Sequence, residues 1–389
     1  MKKLIYMDHA ATTPVKKEVL DEMMPYFSEY YGNPSSVYSL SNYSKIAIDK
    51  AREQVAKELH AKKNEIYFTS GGSESDNWAI KGVASKHIQK GNHIITTKIE
   101  HHAVLHTCEF LGKQGFHITY LDVDEYGLVS LEELKNAITD KTILISIMFA
   151  NNEIGTIQPI KEIGAIAKEH GVLFHTDAVQ AVGSLEIDVN EMNIDMLSMS
   201  AHKLYGPKGT GALYIRGGVK LDPLITGGGQ EKNKRAGTEN IAGIVGLGKA
   251  VELAYGHLEE NNKRLIGLRG RLIKGIQDNI QDVRLNGHPT KRLPGNVNFC
   301  FRYIEGEALL LSLDLVGIAA SSGSACTSGS LDPSHVLLSI GLAHEIAHGS
   351  LRLSLGASNT EEDIDYTVEK LVEIVDRLRK MSPLYNKMA

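Results

Sequence analysis

The chain has 389 residues, of which 42% are hydrophobic and 23% are charged, the composition of an ordinary folded globular protein. Its 42 basic and 47 acidic residues give a net charge of −5, so the composition indicates no nucleic-acid-binding surface. No apolar run is long enough for a membrane span or a signal-peptide core, and three cysteines are too few for a disulfide framework. We therefore expect a cytoplasmic protein of two lobes with no nucleic-acid or membrane partner.

The N-terminal segment begins with a polar arm. Residues 1–14 end in A-A-T-T-P, and a predicted helix over 15–31 leads into the turn Gly32-Asn33-Pro34. An asparagine before a proline is typical of a turn. Asn33 is thus either a turn residue or a residue that lines a site.

The first segment that suggests chemistry follows a short strand. A helix over 44–59 and a strand over 65–69 precede Ser70-Gly71-Gly72-Ser73-Glu74, and a helical pattern follows. Glycines at a helix start allow backbone N–H groups to enclose an anion, and the helix N-terminus adds partial positive charge. The segment is either a phosphate cradle at Gly72 and Ser73 or a helix start capped by Ser73.

Histidines follow the next predicted strand, 93–97. Because sites in α/β proteins gather at the carboxyl ends of parallel strands, His101 is placed to stack on a planar ligand near the glycine segment. His102 and His106 lie four residues apart, as a metal-binding pair on a helix would, but no third ligand of suitable spacing follows. Cys108, on the same helix, is expected to pack in the interior.

Two buried strands with polar ends come next. Continuous apolar runs over 142–149 and 172–174, joined by a helix over 160–170, predict a β-α-β unit. Asn152 and Gln180 lie just beyond the two strands. Each amide either contacts a ligand or caps its own loop.

The pattern that most strongly indicates a bound cofactor involves Asp177 and Lys203. A carboxylate at the end of a buried strand is costly unless it is paired, and a protonated aromatic nitrogen would pair it. The next strand, 194–199, delivers Ser200, His202 and Lys203 to the same sheet edge. A phosphate cradle, a stacking histidine, an aspartate and a lysine that forms an imine are together what pyridoxal 5′-phosphate requires of a protein.

The C-terminal part is predicted to be a smaller lobe. A long helix over 248–279 leads to it, and its strands are predicted over 295–301 and 351–355. Arg352 alternates with leucines, which places it on the face away from the small core. It either binds a carboxylate bidentately or faces water. Cys300 alternates with phenylalanines and is expected to pack.

A segment of small residues surrounds the third cysteine. Residues 321–330 read S-S-G-S-A-C-T-S-G-S, with Cys326 at the centre. This composition predicts a mobile segment and an accessible thiol. Either the segment is a linker with an incidental cysteine, or Cys326 reacts.

One short motif suggests a different class of enzyme. His344-Glu345-Ile346-Ala347-His348 matches the H-E-x-x-H signature of zinc proteases. Gly341 and Gly349 bracket the motif tightly, and the metzincin continuation is absent. Glu369 would be a distant third ligand. A metalloprotease is therefore the less favoured hypothesis.

Taken together, these segments resemble a cysteine desulfurase of the NifS/IscS type, a pyridoxal-phosphate enzyme of fold type I in the class-V aminotransferase-like family. The resemblance covers essentially the whole chain. It rests on Y-M-D-H-A-A-T-T-P, G-N-P-S-S, T-S-G-G-S-E-S-D-N, E-H-H-A-V, N-N-E-I-G, H-T-D-A-V-Q, S-A-H-K-L-Y-G-P-K-G, R-A-G-T and S-S-G-S-A-C-T-S-G-S.

The resemblance implies a role for each candidate residue. Lys203 would form the internal aldimine, His101 would stack on the ring and move protons, and Cys326 would accept the sulfur. Asp177 would pair with the ring nitrogen, and Gln180 would reach the ring hydroxyl. The phosphate would be held by Gly72, Ser73, Ser200, His202 and, across a dimer interface, Thr238. The substrate carboxylate would be held by Asn33, Asn152 and Arg352. Asn152 would also contact the cofactor.

The resemblance also implies the fold and the reaction. We expect an α/β protein with a large domain over 15–257, built on a mainly parallel central sheet flanked by helices. A smaller α+β domain over 258–389 would include the arm 1–14 and a mobile cysteine loop, 321–330. The enzyme would convert L-cysteine to L-alanine and a persulfide on Cys326. As a homodimer it would pass this sulfur to an iron–sulfur scaffold or a tRNA-thiolation protein, with no resident metal and with Cys326 as a transient ligand of an iron–sulfur cluster.

Two departures from the family pattern and three alternatives stay open. Ser73 replaces the threonine of many relatives, and His102 replaces their lysine or proline, which leaves open which histidine stacks. The long interval from Cys326 to Arg352 resembles the branch with a mobile loop, which hands sulfur directly to scaffolds. A sulfur-carrying scaffold without turnover, a selenocysteine lyase and an aminotransferase are the alternatives.

Overall fold

The computed structural model describes residues 4–322, 333–383 and 385, so Cys326 and most of the predicted cysteine loop lie outside the described residues. The strands are β1 (Ile5–Tyr6), β2 (Ile66–Thr69), β3 (His93–Thr97), β4 (His117–Leu121), β5 (Thr142–Ser146), β6 (Leu173–Asp177), β7 (Met196–Ser200), β8 (Gly211–Ile215), β9 (Val283–Leu285), β10 (Asn296–Phe301), β11 (Ile318–Ala319) and β12 (Ser350–Ser354). The helices are α1 (Lys17–Met23), α2 (Pro25–Ser28), α3 (Ser39–Glu58), α4 (Gly72–His87), α5 (His102–Gly112), α6 (Leu131–Ala137), α7 (Ile160–Glu169), α8 (Ile241–Gly256), α9 (Leu258–Asn279), α10 (Gly306–Leu315), α11 (His335–Ser339), α12 (His344–Ala347) and α13 (Glu361–Met381).

A seven-stranded sheet forms the centre of the larger part of the chain. Its order is β2-β8-β7-β6-β5-β3-β4. The strands from β4 to β7 run parallel, and β8 is antiparallel to both of its neighbours. The inner strands are buried almost throughout, so both faces of the sheet are covered and the strands do not show the regular apolar–polar alternation of a half-exposed sheet. The predicted mainly parallel sheet is confirmed, and the carboxyl ends of β3, β5, β6 and β7 meet at one edge.

Helices cover both faces of this sheet. Successive residues of a strand point to opposite faces, and neighbouring side chains accordingly join different apolar clusters. Ile94 packs in a cluster with Trp78 of α4 and Val104 of α5. Ile95 packs in a second cluster with Ile163 of α7. The sheet is thus an inner layer between two layers of helices.

The C-terminal part has its own apolar cluster and two small sheets. β12, β10 and β9 are antiparallel in that order, and β1 pairs in parallel with β11. Side chains of α9, α10 and α13 pack around Phe299 and Leu353. The predicted capping box of α13 is confirmed, since Thr360 and Asp363 each accept the other's backbone N–H. The domain boundary between 257 and 258 stays a prediction.

Two predicted helices are broken in the structure. The helix predicted over 15–31 is divided into α1 and α2, because Pro25 has no N–H group to continue α1. The helix predicted over 248–279 is α8 followed by α9, which meet at His257 in a non-helical conformation (φ −129°, ψ 20°). In the described ranges, every helix is too short or too polar to cross a bilayer.

The arm connects the two parts of the structure. Its first residues form β1, and Met7 then accepts a hydrogen bond from the Ser354 N–H at 2.7 Å. A few residues later, the Thr13 N–H donates to the carbonyl of His202 at 3.0 Å. The arm therefore runs from β12 to the segment that follows β7, where the predicted lysine lies.

Candidate active site

A cavity of about 300 Å³ opens at the carboxyl ends of the parallel strands, and this position is the usual site of ligand binding in α/β folds. The arm and β12 form its other side. All predicted site residues except Asn33, Thr238 and Cys326 line it: Gly72, Ser73, His101, Asn152, Asp177, Gln180, Ser200, His202, Lys203 and Arg352.

The N-terminus of α4 forms one end of the cavity. α4 begins at Gly72, and the N-cap residue, Gly71, offers no side chain to cap it. Ser73 lies inside the first turn, so the alternative that Ser73 caps the helix is wrong. A Cβ atom on Gly72 would lie 2.5 Å from Val179 Cγ2, which explains the glycine. A helix end without a side-chain cap, next to a serine hydroxyl, suits a phosphate group.

Ser200 and His202 lie beside this helix end. Both line a hollow that they share with the first residues of α4, and His202 Nδ1 is 3.1 Å from Thr12 Oγ1. Burial, with contributions from Lys203 and Lys208, lowers the pKa of His202 to about 4. The ring is therefore neutral at neutral pH, with one N–H group to donate.

Asp177 lies at the end of β6, at the base of the cavity. Its Oδ1 accepts the Val179 N–H at 2.9 Å. Burial raises the pKa of Asp177, while His101, the Val179 N–H and Lys203 lower it. A cationic ring nitrogen bound here would stabilise the carboxylate further.

His101 is the histidine that meets Asp177. One donor atom from each of Asp76, His101 and Asp177 lies within 4.8 Å of the other two. His101 Nδ1 accepts the Ala103 N–H at 3.1 Å, so Nε2 is the ring nitrogen available to carry a proton. His102 instead contacts the rings of His106 and His335, with centroids 5.0 and 4.9 Å away. This geometry favours His101 as the stacking residue.

Lys203 lies in a single helical turn after β7. Its Nζ donates to the carbonyl oxygens of Ala10 at 2.5 Å and Ala11 at 2.7 Å. Gln180 Nε2 also donates to the Ala10 carbonyl, at 2.9 Å. The arm therefore supplies backbone acceptors to two predicted site residues, a contribution that sequence reasoning missed because no motif marks a carbonyl group.

Arg352 is 2% exposed, so the alternative that it faces water is wrong. Its Nη1 donates to the Asn152 carbonyl at 3.1 Å, and its Nη2 pairs with Asp8 Oδ1 at 3.0 Å. The guanidinium group is thereby held at the cavity by contacts from two sides. It is placed to bind a carboxylate.

Three predicted residues are not brought to the cavity of this chain. Asn33 is exposed, and its Oδ1 accepts the Ser35 N–H at 2.9 Å, the geometry of a turn residue. Thr238 is exposed and lines a separate hollow with Ser70. Cys326 lies outside the described residues. The functional roles of all three stay predictions.

Three buried carboxyl groups line the cavity without having been predicted: Asp76, Glu100 and Glu153. Burial raises the pKa of Glu100 to about 8 and that of Glu153 to about 7, and it raises the pKa of Asp76 well above its usual range. A signal for Asp76 exists, since it shares a helix face with Ile80 and Val83, which are buried.

We expect the cofactor-free protein to lose stability as the pH rises from about 5 to about 8, and Glu100→Gln to reduce this loss. Glu100 has a pKa of about 8 in the folded chain and about 4.3 when unfolded. Between these values the folded state holds the extra proton, so stability falls with pH, by at most about 1.4 kcal/mol per unit for this group. Glutamine can still accept hydrogen bonds from the Thr97 hydroxyl and the Met148 N–H.

Urea unfolding at several pH values measures the slope, which is how steeply the free energy of unfolding depends on pH. Glu109→Gln, at an exposed position on α5, should leave it unchanged, and equal slopes for wild type and Glu100→Gln would contradict a neutral Glu100.

The structure also describes the zinc-protease motif and two of the three cysteines. α12, which carries the H-E-x-x-H motif, spans only His344–Ala347, less than the rigid helix that the zinc signature requires. Cys108 and Cys300 are buried, and burial raises the pKa of their thiols to about 12 and about 11. Packing is thus the role that the structure supports for these two cysteines, as predicted.

Comparison with known proteins assigns the chain to a family. The class-V aminotransferase model matches residues 5–367. The chain is 66% identical over 387 residues to a "Cysteine desulfurase IscS" of Clostridium botulinum (strain Hall), a match that covers 99% of this chain and 98% of that protein. It is 64% identical over 385 residues to the protein of the same description from Methanosarcina thermophila, covering 99% and 95%.

Comparison with solved structures supports the same family assignment. A "NIFS-LIKE PROTEIN" superposes with a TM-score of 0.91 at 41% identity, covering 96% of this chain and 100% of that one. "SspA in complex with cysteine" superposes with a TM-score of 0.81 at 43% identity, covering 90% and 98%. The chain belongs to the class-V aminotransferase family. Within that family it groups with the cysteine desulfurases of the NifS/IscS type, and the predicted fold type I architecture is confirmed.

Proposed function

We propose that this chain is a cysteine desulfurase that uses pyridoxal 5′-phosphate to remove sulfur from L-cysteine. The observation that carries the proposal is the arrangement of Lys203, Asp177 and His101 with the N-terminus of α4 around one cavity. The relatives described as cysteine desulfurases support it, as does the neighbour whose structure contains cysteine.

The residues of the cavity fit this cofactor. Asp177 is a buried carboxylate, and a protonated ring nitrogen would compensate the cost of its burial. His202 is neutral and can donate to a phosphate oxygen. When bound, the cofactor supplies an electron sink for charge that develops on the substrate. The residues that would hold it are Gly72, Ser73, Ser200, His202 and the partner subunit's Thr238 at the phosphate, and His101, Asn152, Asp177, Gln180 and Lys203 around the ring.

The remaining tasks fall to side chains that act on the substrate. Arg352 and Asn152 bind and orient its carboxylate. Lys203 Nζ and His101 Nε2 move protons at the substrate carbons. The Cys326 thiolate attacks the substrate sulfur, so an S–S bond forms while the C–S bond breaks and leaves its electron pair with the carbon skeleton. A proton then completes L-alanine, and the persulfide stays on Cys326.

The protein is further proposed to act as a homodimer. Thr238 is exposed and lies outside its own chain's cavity, which supports a contribution to a partner's site. Large exposed apolar side chains are also concentrated in the segment from α1 to the first turns of α3, and such concentrations mark interfaces. These side chains are Leu20, Met24, Phe27, Tyr31, Val37, Tyr38, Tyr43 and Ile46.

The sulfur on Cys326 is proposed to pass to a protein acceptor. An iron–sulfur scaffold and a tRNA-thiolation protein are both compatible with a persulfide donor. Co-purification with the persulfide form of the enzyme distinguishes the two. The cytoplasmic location stays a prediction.

Product analysis of the cofactor-loaded enzyme tests the proposal. L-cysteine should yield L-alanine and, with a thiol reductant, an equal amount of sulfide. A selenocysteine lyase would act on selenocysteine and hardly on cysteine, and an aminotransferase would transfer the amino group to a keto acid. The proposal fails if the purified protein does not take up pyridoxal phosphate, or if it takes up the cofactor but forms no alanine from cysteine.

A further inference from the structure

Asp8 forms an ion pair with Arg352 but has no role in the function described so far. Asp8 Oδ1 lies 3.0 Å from Arg352 Nη2, and the two side chains are 19% and 2% exposed. The residues are 344 positions apart in the chain. Strand pairing brings them together, because Asp8 bridges Ser354, which lies two residues beyond Arg352 on the same face of β12. The docking of the arm therefore fixes this ion pair.

The contacts of Arg352 leave part of its guanidinium group available. One N–H group donates to the Asn152 carbonyl and one to Asp8, and a guanidinium group carries more donors than these. Its Nε is buried and has no acceptor among the described residues. A buried cationic N–H without an acceptor is costly. This points to an anionic ligand that binds beside Asp8.

The acidic groups near Arg352 differ in how they act on it. Glu153 shares the cavity wall and interacts with Arg352 through charge, since burial raises the pKa of Glu153 and Arg352 lowers it. Among the described contacts Glu153 forms no ion pair with Arg352, and its carboxyl accepts a hydrogen bond from the Ser334 hydroxyl. Asp8 is the carboxylate in direct contact. An amino acid that enters the cavity thus meets an arginine whose guanidinium group is already paired with Asp8 on one side. The carboxylate of the amino acid is therefore limited to the other side of that group.

We propose that Asp8 is a positioning residue for the substrate: it holds one side of the Arg352 guanidinium group, so that the remaining N–H groups receive the α-carboxylate of a zwitterionic amino acid. The negative charge of Asp8 also limits how tightly that carboxylate binds. The inference rests on the proposed function, in which Arg352 binds the substrate carboxylate. It adds a residue of the arm to the substrate site.

Two variants separate the charge of Asp8 from its hydrogen bond. Asp8→Asn keeps an oxygen acceptor for Nη2 and removes the charge, so the Kd of the cofactor-loaded enzyme for L-alanine should fall at least about threefold. Asp8→Ala has the same charge as Asp8→Asn but no acceptor, so its Kd should be at least about threefold weaker than that of Asp8→Asn. Calorimetric titration with L-alanine, which the enzyme does not desulfurate, measures both values.

Two controls accompany this titration. Asp21→Asn removes an exposed acid that pairs with Lys17 on α1, and it should bind L-alanine like the wild type. Thermal unfolding of the cofactor-free proteins gives a readout that is independent of the cofactor: Asp8→Ala should melt below Asp8→Asn, because it leaves Nη2 of the buried Arg352 without its acceptor. Asp8→Leu takes the place of Asp8→Ala if the alanine variant does not fold.

The outcomes distinguish the inference from the function on which it rests. Equal Kd values for the two Asp8 variants would overturn the positioning role, and an Asp8→Asn variant that binds no more tightly than wild type would overturn the effect of the charge. If the wild type does not bind L-alanine, the proposed function fails and the inference fails with it. Normal wild-type binding with unchanged variants rejects the inference alone.

Discussion

Replacing Cys326 with alanine should abolish the release of alanine and sulfide from L-cysteine while leaving cofactor binding intact. Without this thiolate no nucleophile takes the substrate sulfur, so turnover should fall by at least about a thousandfold. Lys203, Asp177 and Arg352 are unchanged in the variant, so L-cysteine should still alter the absorption spectrum of the bound cofactor. A single-turnover alanine assay and a spectrum recorded on the same sample test both parts of this expectation.

The other two cysteines provide matched controls. Cys108 and Cys300 are fully buried, and burial raises the pKa of both thiols, so Cys108→Ala and Cys300→Ala should retain turnover and lose only some stability. Mass spectrometry after addition of cysteine without reductant should find the extra sulfur on the peptide that contains Cys326. Extra sulfur on Cys108 or Cys300, or full activity of Cys326→Ala, would show that the mechanism is wrong.

Replacing Lys203 with alanine should remove both turnover and the covalent attachment of the cofactor. The loss of a proton-transfer group alone reduces rates by about 10² to 10⁴-fold, and Lys203 is also the proposed attachment point of the cofactor. Borohydride reduction should link the cofactor permanently to the wild-type peptide that contains Lys203, and peptide mapping should find no such link in the variant.

The control for this experiment is a lysine outside the cavity. Lys98 is exposed and donates to Asp122 at 2.6 Å, so Lys98→Ala should retain both the attachment and the turnover. A cofactor that is still fixed by borohydride to a different lysine of Lys203→Ala, with turnover preserved, would rule out the role assigned to Lys203.

Local patterns were sufficient to predict seven of the strands, among them β3, β5, β6 and β7 with the residues at their ends, whereas β1, β4, β8, β9 and β11 were not predicted. β3 was predicted over 93–97 and is found at His93–Thr97, because a short run rich in β-branched residues is typical of a strand. Asp177 and Lys203 could be assigned to one edge because parallel strands end together. The breaks at Pro25 and His257 were missed, since an apolar pattern continues through both positions.

Contacts between distant segments could not be predicted in the same way. Asp8 meets Arg352 across 344 positions, and Lys203 meets the Ala10 carbonyl across 193. No motif announces either contact, because one depends on how the arm docks and the other uses a backbone atom. The buried acids were missed for a related reason, since Glu100 becomes costly only when the segment after β5 folds against it and the Met148 N–H donates to its side chain.

The path of the arm bears on how the enzyme is made in the cell. Asp8 leaves the ribosome early, whereas its partner Arg352 follows on the order of tens of seconds later at ordinary rates of synthesis. Until β12 has emerged and paired, Asp8 lacks its partner Arg352, and the proposed amino-acid site is incomplete. A nascent chain that already contains Lys203 should therefore be unable to liberate sulfur, so translation itself delays the appearance of a reactive product.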